Sequence, residues 1–290
     1  MTNNEFENNG NTALTVGGAL YIKDSVAVVE NTTFINNTAI DGGAVEFSCS
    51  SVQNCNLTLR NNTFIENSGL HQGGAIEYNR VRPTFENNIY SSNSAPYGPN
   101  IASYPVKIRK VDSSQNDIIL ENVGSGIVYE ETLNLGLYDY DDQIMLLDSS
   151  NQIAISAINT QTSSISGTST GLLSEGKVGF DSLIFVSSPG NPNVQYRATS
   201  KALDNNMITE VFGQSISDND IYVNFRYCKP GETIIDGNTC SECSAGTYSF
   251  SWNSTECKNC IEDTVCDGGT KVSVNSEYWR RTTNSTKIIK

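Results

Sequence analysis

Histidine is almost missing from this chain: His71, in "GLHQGG", is the only one. A Ser-His-Asp or Cys-His arrangement would have to use it, and no credible partners surround it, so it reads as a solvated turn residue. Basic residues are scarce as well. Lys and Arg number 18 against 32 Asp and Glu, giving a formal net charge of −14 and a pI near 4.4. Such a chain has no patch to match nucleic-acid phosphates and docks poorly on anionic lipid. The plain reading of the acidity is solubility. No run approaches the roughly 18 apolar residues of a membrane span. The motifs G-x-x-x-x-G-K and G-x-G-x-x-G are both absent, which argues against nucleotide use. The opening "MTNNEFENNG" has neither the charged start nor the apolar core of a secretion signal. The expectation is an internal piece of a longer chain, held to a membrane by a segment outside this sequence.

What is present is a repeat. "AIDGGAVEF" (39–47) returns as "GLHQGGAIEY" (69–78), and "TVGGALYI" (15–22) is a looser copy. Each unit starts with an aromatic residue and an Asn, at Phe6, Phe34, Phe64 and Tyr90, and the last has Gly98-Pro99 in place of Gly-Gly. A unit of this length, made of short β runs and turns, cannot bury its own core but can bury one against its neighbours. Parallel stacking then sets Phe34 on Phe64, and Asn37 on Asn67 and Asn93. Strand alternation puts Val45 and Phe47 inward, with Ala44 and Glu46 on the other face. Residues 1–104 are therefore expected to form a short parallel β-helix.

The repeat stops at Tyr104-Pro105. Residues 105–226 hold short alternating runs such as "TLNLGLYDY" and "QIAISAI", expected to make an antiparallel β-sandwich. Asp139, Asp141 and Asp142 in "YDYDDQ" are the one place where a cofactor, Ca2+, comes into question. They lack the further spaced ligands of a known loop, so a solvated acidic turn is the plainer reading.

Residues 227–290 hold six of the eight cysteines, and Cys49 and Cys55 are the other two. The two C-x-x-C pairs have zinc-like spacing. Their Gly- and Asn-rich surroundings, the outer Cys228 and Cys266, and six N-x-S/T sequons at Asn31, Asn36, Asn56, Asn61, Asn253 and Asn284 favour disulfides in an oxidising compartment instead. Six cysteines allow 15 connectivities. The expected one is sequential: Cys228–Cys240, Cys243–Cys257 and Cys260–Cys266, with Cys49–Cys55 closing a small hairpin. Trp252 and Trp279 are expected to pack on these bridges.

"FINNTAIDGGAVEF" and "FIENSGLHQGGAIEY" resemble right-handed β-helix surface proteins of the pectin-lyase-like and polymorphic-outer-membrane-protein type. The middle zone resembles a filamin or immunoglobulin-like module. "CKPGETIIDGNTCSECSAGTYSFSWNSTECKNC" is similar to growth-factor-receptor or ephrin-receptor-like cysteine-rich modules. Their order, with "VCDGG" and "YWRR" behind, resembles very large ciliate surface proteins in which the cysteine-rich stretch precedes a multi-span membrane region. The resemblance implies an all-β, cell-surface, structural or adhesive segment whose partners are other surface proteins or glycans. Two rivals stand beside it. One is a carbohydrate-active enzyme using Glu46 and Glu77, which occupy equivalent positions on neighbouring rungs. The same pair also offers a glycan or cation contact, and stacked acids on a solvated ladder are the simplest account of it. The other rival is a ligand-sensing ectodomain.

Overall fold

The computed structural model describes residues 1–10, 16–113, 117–213 and 219–290, and of the copy at 15–22 only Thr15 lies outside them. The protein is all-β, with one helix, Asn205–Phe212, among the described residues. From Glu5 to Ala102 the chain coils, and successive coils pair in parallel. Strands Glu5–Glu7, Thr33–Ile35, Thr63–Ile65 and Ile89–Ser91 form one sheet. Leu20–Lys23, Val45–Ser48, Ile76–Tyr78 and Ile101–Ala102 form a second, and Val26–Glu30, Asn56–Arg60 and Thr84–Glu86 a third.

The repeat positions are the register. Phe6, Phe34, Phe64 and Tyr90 face one another in order. Their rings stack nearly parallel, with centroids 5.3, 4.8 and 5.3 Å apart. Asn67 is fully buried and satisfies all its side-chain groups within the stack. Its Oδ1 accepts from the Asn37 backbone N–H and Nδ2, and its Nδ2 donates to the Phe34 carbonyl and Asn93 Oδ1. A second ladder that the repeat pattern did not single out runs beside it through Asn62 and Asn88.

The paired glycines have separate reasons. Gly42 lies at φ +61°, in the left-handed region that a Cβ disfavours. Gly43 sits where a Cβ would come within 2.2 Å of the Gly74 carbonyl oxygen of the next coil. Gly74 meets the Pro99 carbonyl in the same way, at 2.1 Å. Pro99 stands at the second-glycine position of the last coil, past which the chain leaves the stack for strand Pro105–Lys110. Ala44, expected to face outward with Glu46, is fully buried. It belongs to the glycine corner, and the strand proper begins at Val45, so alternation does not yet apply to it.

The middle region has a five-stranded sheet containing Ile118–Val123, Asp220–Phe225, Val194–Ser200, Gln152–Ala157 and Thr170–Leu172. A three-stranded sheet holds Pro105–Lys110, Leu133–Asp139 and Lys177–Phe180, and Ser164–Gly167 pairs with Leu183–Val186. All three contribute to one buried cluster that includes Leu135, Phe180, Phe185, Tyr196 and Val223. Pairing is antiparallel apart from Ile118–Val123, which lies parallel to Asp220–Phe225, an arrangement the antiparallel expectation did not include. The helix was also missed. Its signals are local: Asp204 caps the N-terminus by accepting from the Asn206 and Met207 backbone N–H groups, and Gly213 ends it at φ +74°.

The last region is built from four short hairpins, and its apolar cluster is small, with Tyr248, Cys266 and Val272 as the buried members. Disulfides join Cys228–Cys240, Cys243–Cys257 and Cys260–Cys266, the sequential pairing. The fourth, Cys49–Cys55, lies inside the coil-stack core. It closes a corner rather than a hairpin, because Val45–Ser48 and Asn56–Arg60 belong to different sheets.

Candidate functional site

The second sheet of the stack brings Tyr21, Glu46, Glu77 and Ala102 into one row. Both glutamates are half-buried rather than solvated. The cause is the glycine corner, which folds back along the strands. A Cβ on Gly73 would lie 3.0 Å from Glu77 Cβ, and one on Gly42 would lie 3.2 Å from Glu46 Cα. Glu46 Oε2 is buried without a hydrogen-bond partner among the described residues. Burial, then the Asp41 charge, pushes the Glu46 carboxyl up to about 7. Burial, then Glu46, then Asp41, pushes Glu77 well above the usual carboxylate range. Near neutral pH such a pair holds a proton, so one member can donate while the other accepts. Next to it, exposed His71 places Nδ1 3.0 Å from Asp41 Oδ1.

Asp139 and Asp141 form the joint between the stack and the middle region, whereas Asp142 stays exposed on the middle region's surface. Asp139 is fully buried. Its Oδ1 accepts from the Asp141 and Gln143 backbone N–H groups, and its Oδ2 from the Tyr97 hydroxyl and Gln143 Nε2. Asp141 accepts from the Tyr78 hydroxyl at 2.7 Å and pairs with Arg82. Asp142 pairs with Lys107 and Arg109. With protein donors on every one of these carboxylates, a Ca2+ ion would have to displace them, so the cation reading loses its ligands here. The missed helix closes the same joint. Glu210 pairs with Arg80 and accepts from the Ser51 hydroxyl and the Val52 N–H, and Phe212 stacks on Tyr140 at 5.1 Å.

Five of the sequon asparagines, Asn31, Asn36, Asn56, Asn61 and Asn284, are exposed. Asn253 is half-buried, and its Oδ1 accepts from the Cys228 N–H. The sulfurs of Cys228 and Cys240 lie near Glu232 but are spent on their bridge. Trp252 and Trp279 do not pack on the disulfides as expected. They are 63% and 53% exposed, because the small cystine-held core has room for Tyr248 but not for two indoles. The four disulfides fit an oxidising, extracellular environment. No described helix is long and apolar enough to cross a membrane. No family model, curated protein or solved structure matches this chain.

Proposed function

We propose that this chain is a non-catalytic extracellular segment of a large modular cell-surface protein, of the ciliate kind its repeat and cysteine-rich stretch resemble. It acts as a stiff support that displays a binding surface to other surface proteins or glycans, and a segment outside this chain ties it to the membrane. The observation that carries this reading is the joint. The buried Tyr97–Asp139 and part-buried Tyr78–Asp141 hydrogen bonds, with the more exposed Arg80–Glu210 and Arg82–Asp141 pairs at their edge, lock the coil stack to the middle region, as a stiff spacer needs. Four disulfides and five exposed sequons support the extracellular placement. The test is surface biotinylation of the native cells, with a deglycosylation step and a blot against residues 227–290. A large, biotin-labelled, membrane-associated band that shrinks on deglycosylation supports the reading. A soluble unlabelled band near 31.5 kDa overturns it.

A second reading has one specific observation in its favour: the upward-shifted Glu46 and Glu77 pair with its unpartnered oxygen. On that reading the stack cleaves a polysaccharide. Turnover by the wild type that Glu46→Gln and Glu77→Gln each abolish would establish it, and no turnover on any glycan removes it.

A further inference from the structure

Between the edge of the five-stranded sheet and the first disulfide hairpin lies a groove of about 570 Å³. That volume is within the range of small-ligand sites, and junctions between units are where such sites gather. The groove is held open by contacts that do not depend on a ligand. The Ser125 hydroxyl donates to the Asn238 carbonyl, and the Cys240 N–H donates to the Ser125 carbonyl. Arg226 makes a two-pronged pair with Glu232, at 2.7 and 2.9 Å, and lies across Gly124, where a Cβ would come within 2.8 Å of its Nη2. Arg226 is thus committed to structure.

Of the remaining lining, Glu121 accepts from the Asn224 amide and Glu131 from Tyr129, and the rest is not committed. Trp252 stands 63% exposed at the rim, near exposed Val128. Tyr129 packs edge-on against Phe185 and donates its hydroxyl to Glu131. The Glu130 carboxylate, the Asn122 amide and the Lys229 ammonium have no hydrogen-bond partner among the described residues. One exposed carboxylate, one exposed amide and one exposed ammonium, the last also within reach of the Glu232 charge, therefore line the same groove as an open indole.

The geometry points to this groove as a binding site for a neutral pyranose oligosaccharide. A pyranose offers an apolar C–H face to lie on the indole, and hydroxyls that donate to Glu130 while accepting from Asn122 and Lys229. A purely apolar ligand would leave those three groups buried and unpaired, which is costly. A polyanionic glycan would meet Glu121, Glu130 and Glu131 in a chain of net charge −14. The inference deepens the proposed display function, and rests on it, by giving the displayed surface a place and a ligand class.

The test is equilibrium binding of the full 290-residue chain, disulfide-intact and enzymatically deglycosylated, to a panel of neutral hexose and N-acetylhexosamine oligosaccharides. Trp252→Ala is expected to weaken binding about tenfold, the effect of losing roughly 1.4 kcal/mol of stacking. Trp279→Ala, at another exposed indole outside the groove, is expected to change nothing. Glu130→Gln keeps the fold and is expected to weaken binding as well. Binding that survives Trp252→Ala overturns the assignment, as does a wild-type chain that ignores the saccharides and instead holds an arginine-rich peptide. A protein that biotin labels on cells but that binds no neutral saccharide defeats the groove alone. One that binds saccharide yet is absent from the surface defeats the display reading alone.

Discussion

The Tyr97 hydroxyl donates to Asp139 across 2.5 Å, and both side chains are buried. Tyr97 belongs to the last coil and Asp139 ends a strand of the middle region, so one hydrogen bond spans two units. Tyr97→Phe removes the donor and leaves a buried carboxylate short of a partner. The expected loss is about 1–3 kcal/mol in urea unfolding. Tyr21→Phe, at a half-exposed side chain of the stack, should stay within about 0.5 kcal/mol. Equal effects of the two substitutions would mean that the joint does not carry the fold.

Asn67 makes two donor and two acceptor contacts within the stack. Asn67→Asp keeps the shape but removes both donors, setting a carboxylate against the Phe34 carbonyl and Asn93 Oδ1. We expect the coil region to become protease-sensitive, with a loss of roughly 3 kcal/mol or more from a buried, uncompensated charge. Asn61→Asp, exposed and already in a left-handed conformation that Asp tolerates, should be nearly neutral. A fully resistant Asn67→Asp stack would contradict the ladder's role.

The carboxylates give stability a maximum in mild acid. Glu46 and Glu77 titrate above their usual 4.5. The folded chain then holds protons that the unfolded chain has released. Their contribution is complete below 4.5 and is lost as pH rises through the raised values, about 7 for Glu46. Glu232 runs the other way. Burial raises it, but the Arg226 hydrogen bond and charge outweigh burial and hold it below 4.5, so its contribution is lost on acidification. The urea midpoint should fall between about pH 5 and pH 8, and Glu46→Gln should flatten that slope. A wild-type midpoint that rises over this range would reverse the assignment.

Reduction should loosen residues 227–290 before the coil stack. The tail's buried apolar cluster is three residues, so its three bridges, worth about 2–3 kcal/mol each, supply most of its order. The stack buries a continuous row from Val29 to Tyr78 and needs its one bridge less. Limited proteolysis with and without reductant reads this directly. A tail that resists protease equally well when reduced would show that packing, not the bridges, holds it.

Some of this was legible along the chain and some was not. The aromatic and Asn positions announced the stack because a parallel, in-register pile sets like on like. The capping pair Asp204 and Gly213 also announced a helix, but its eight residues fall among strand-like runs and carry little periodic signal. Asp139 and Asp141 looked like part of a solvated turn because their partners Tyr97, Tyr78 and Arg82 lie 42 to 63 positions away. Trp252 and Trp279 looked like core because indoles bury well, yet burial depends on the space around them.

The sequence by itself determined the local rules of this protein. Repeat spacing set which residues stack, paired glycines set where coils turn, and closely spaced cysteines set which sulfurs come within reach. Tertiary structure alone decided what covers each polar face. Alternation places Glu46 and Glu77 outward, but only the folded corner raises their pKa. Composition marks Asp139 and Asp141 as acidic, but only the meeting of two units turns them into a joint. Burial and charge pairing are properties of distant segments brought together, and no local pattern encodes them.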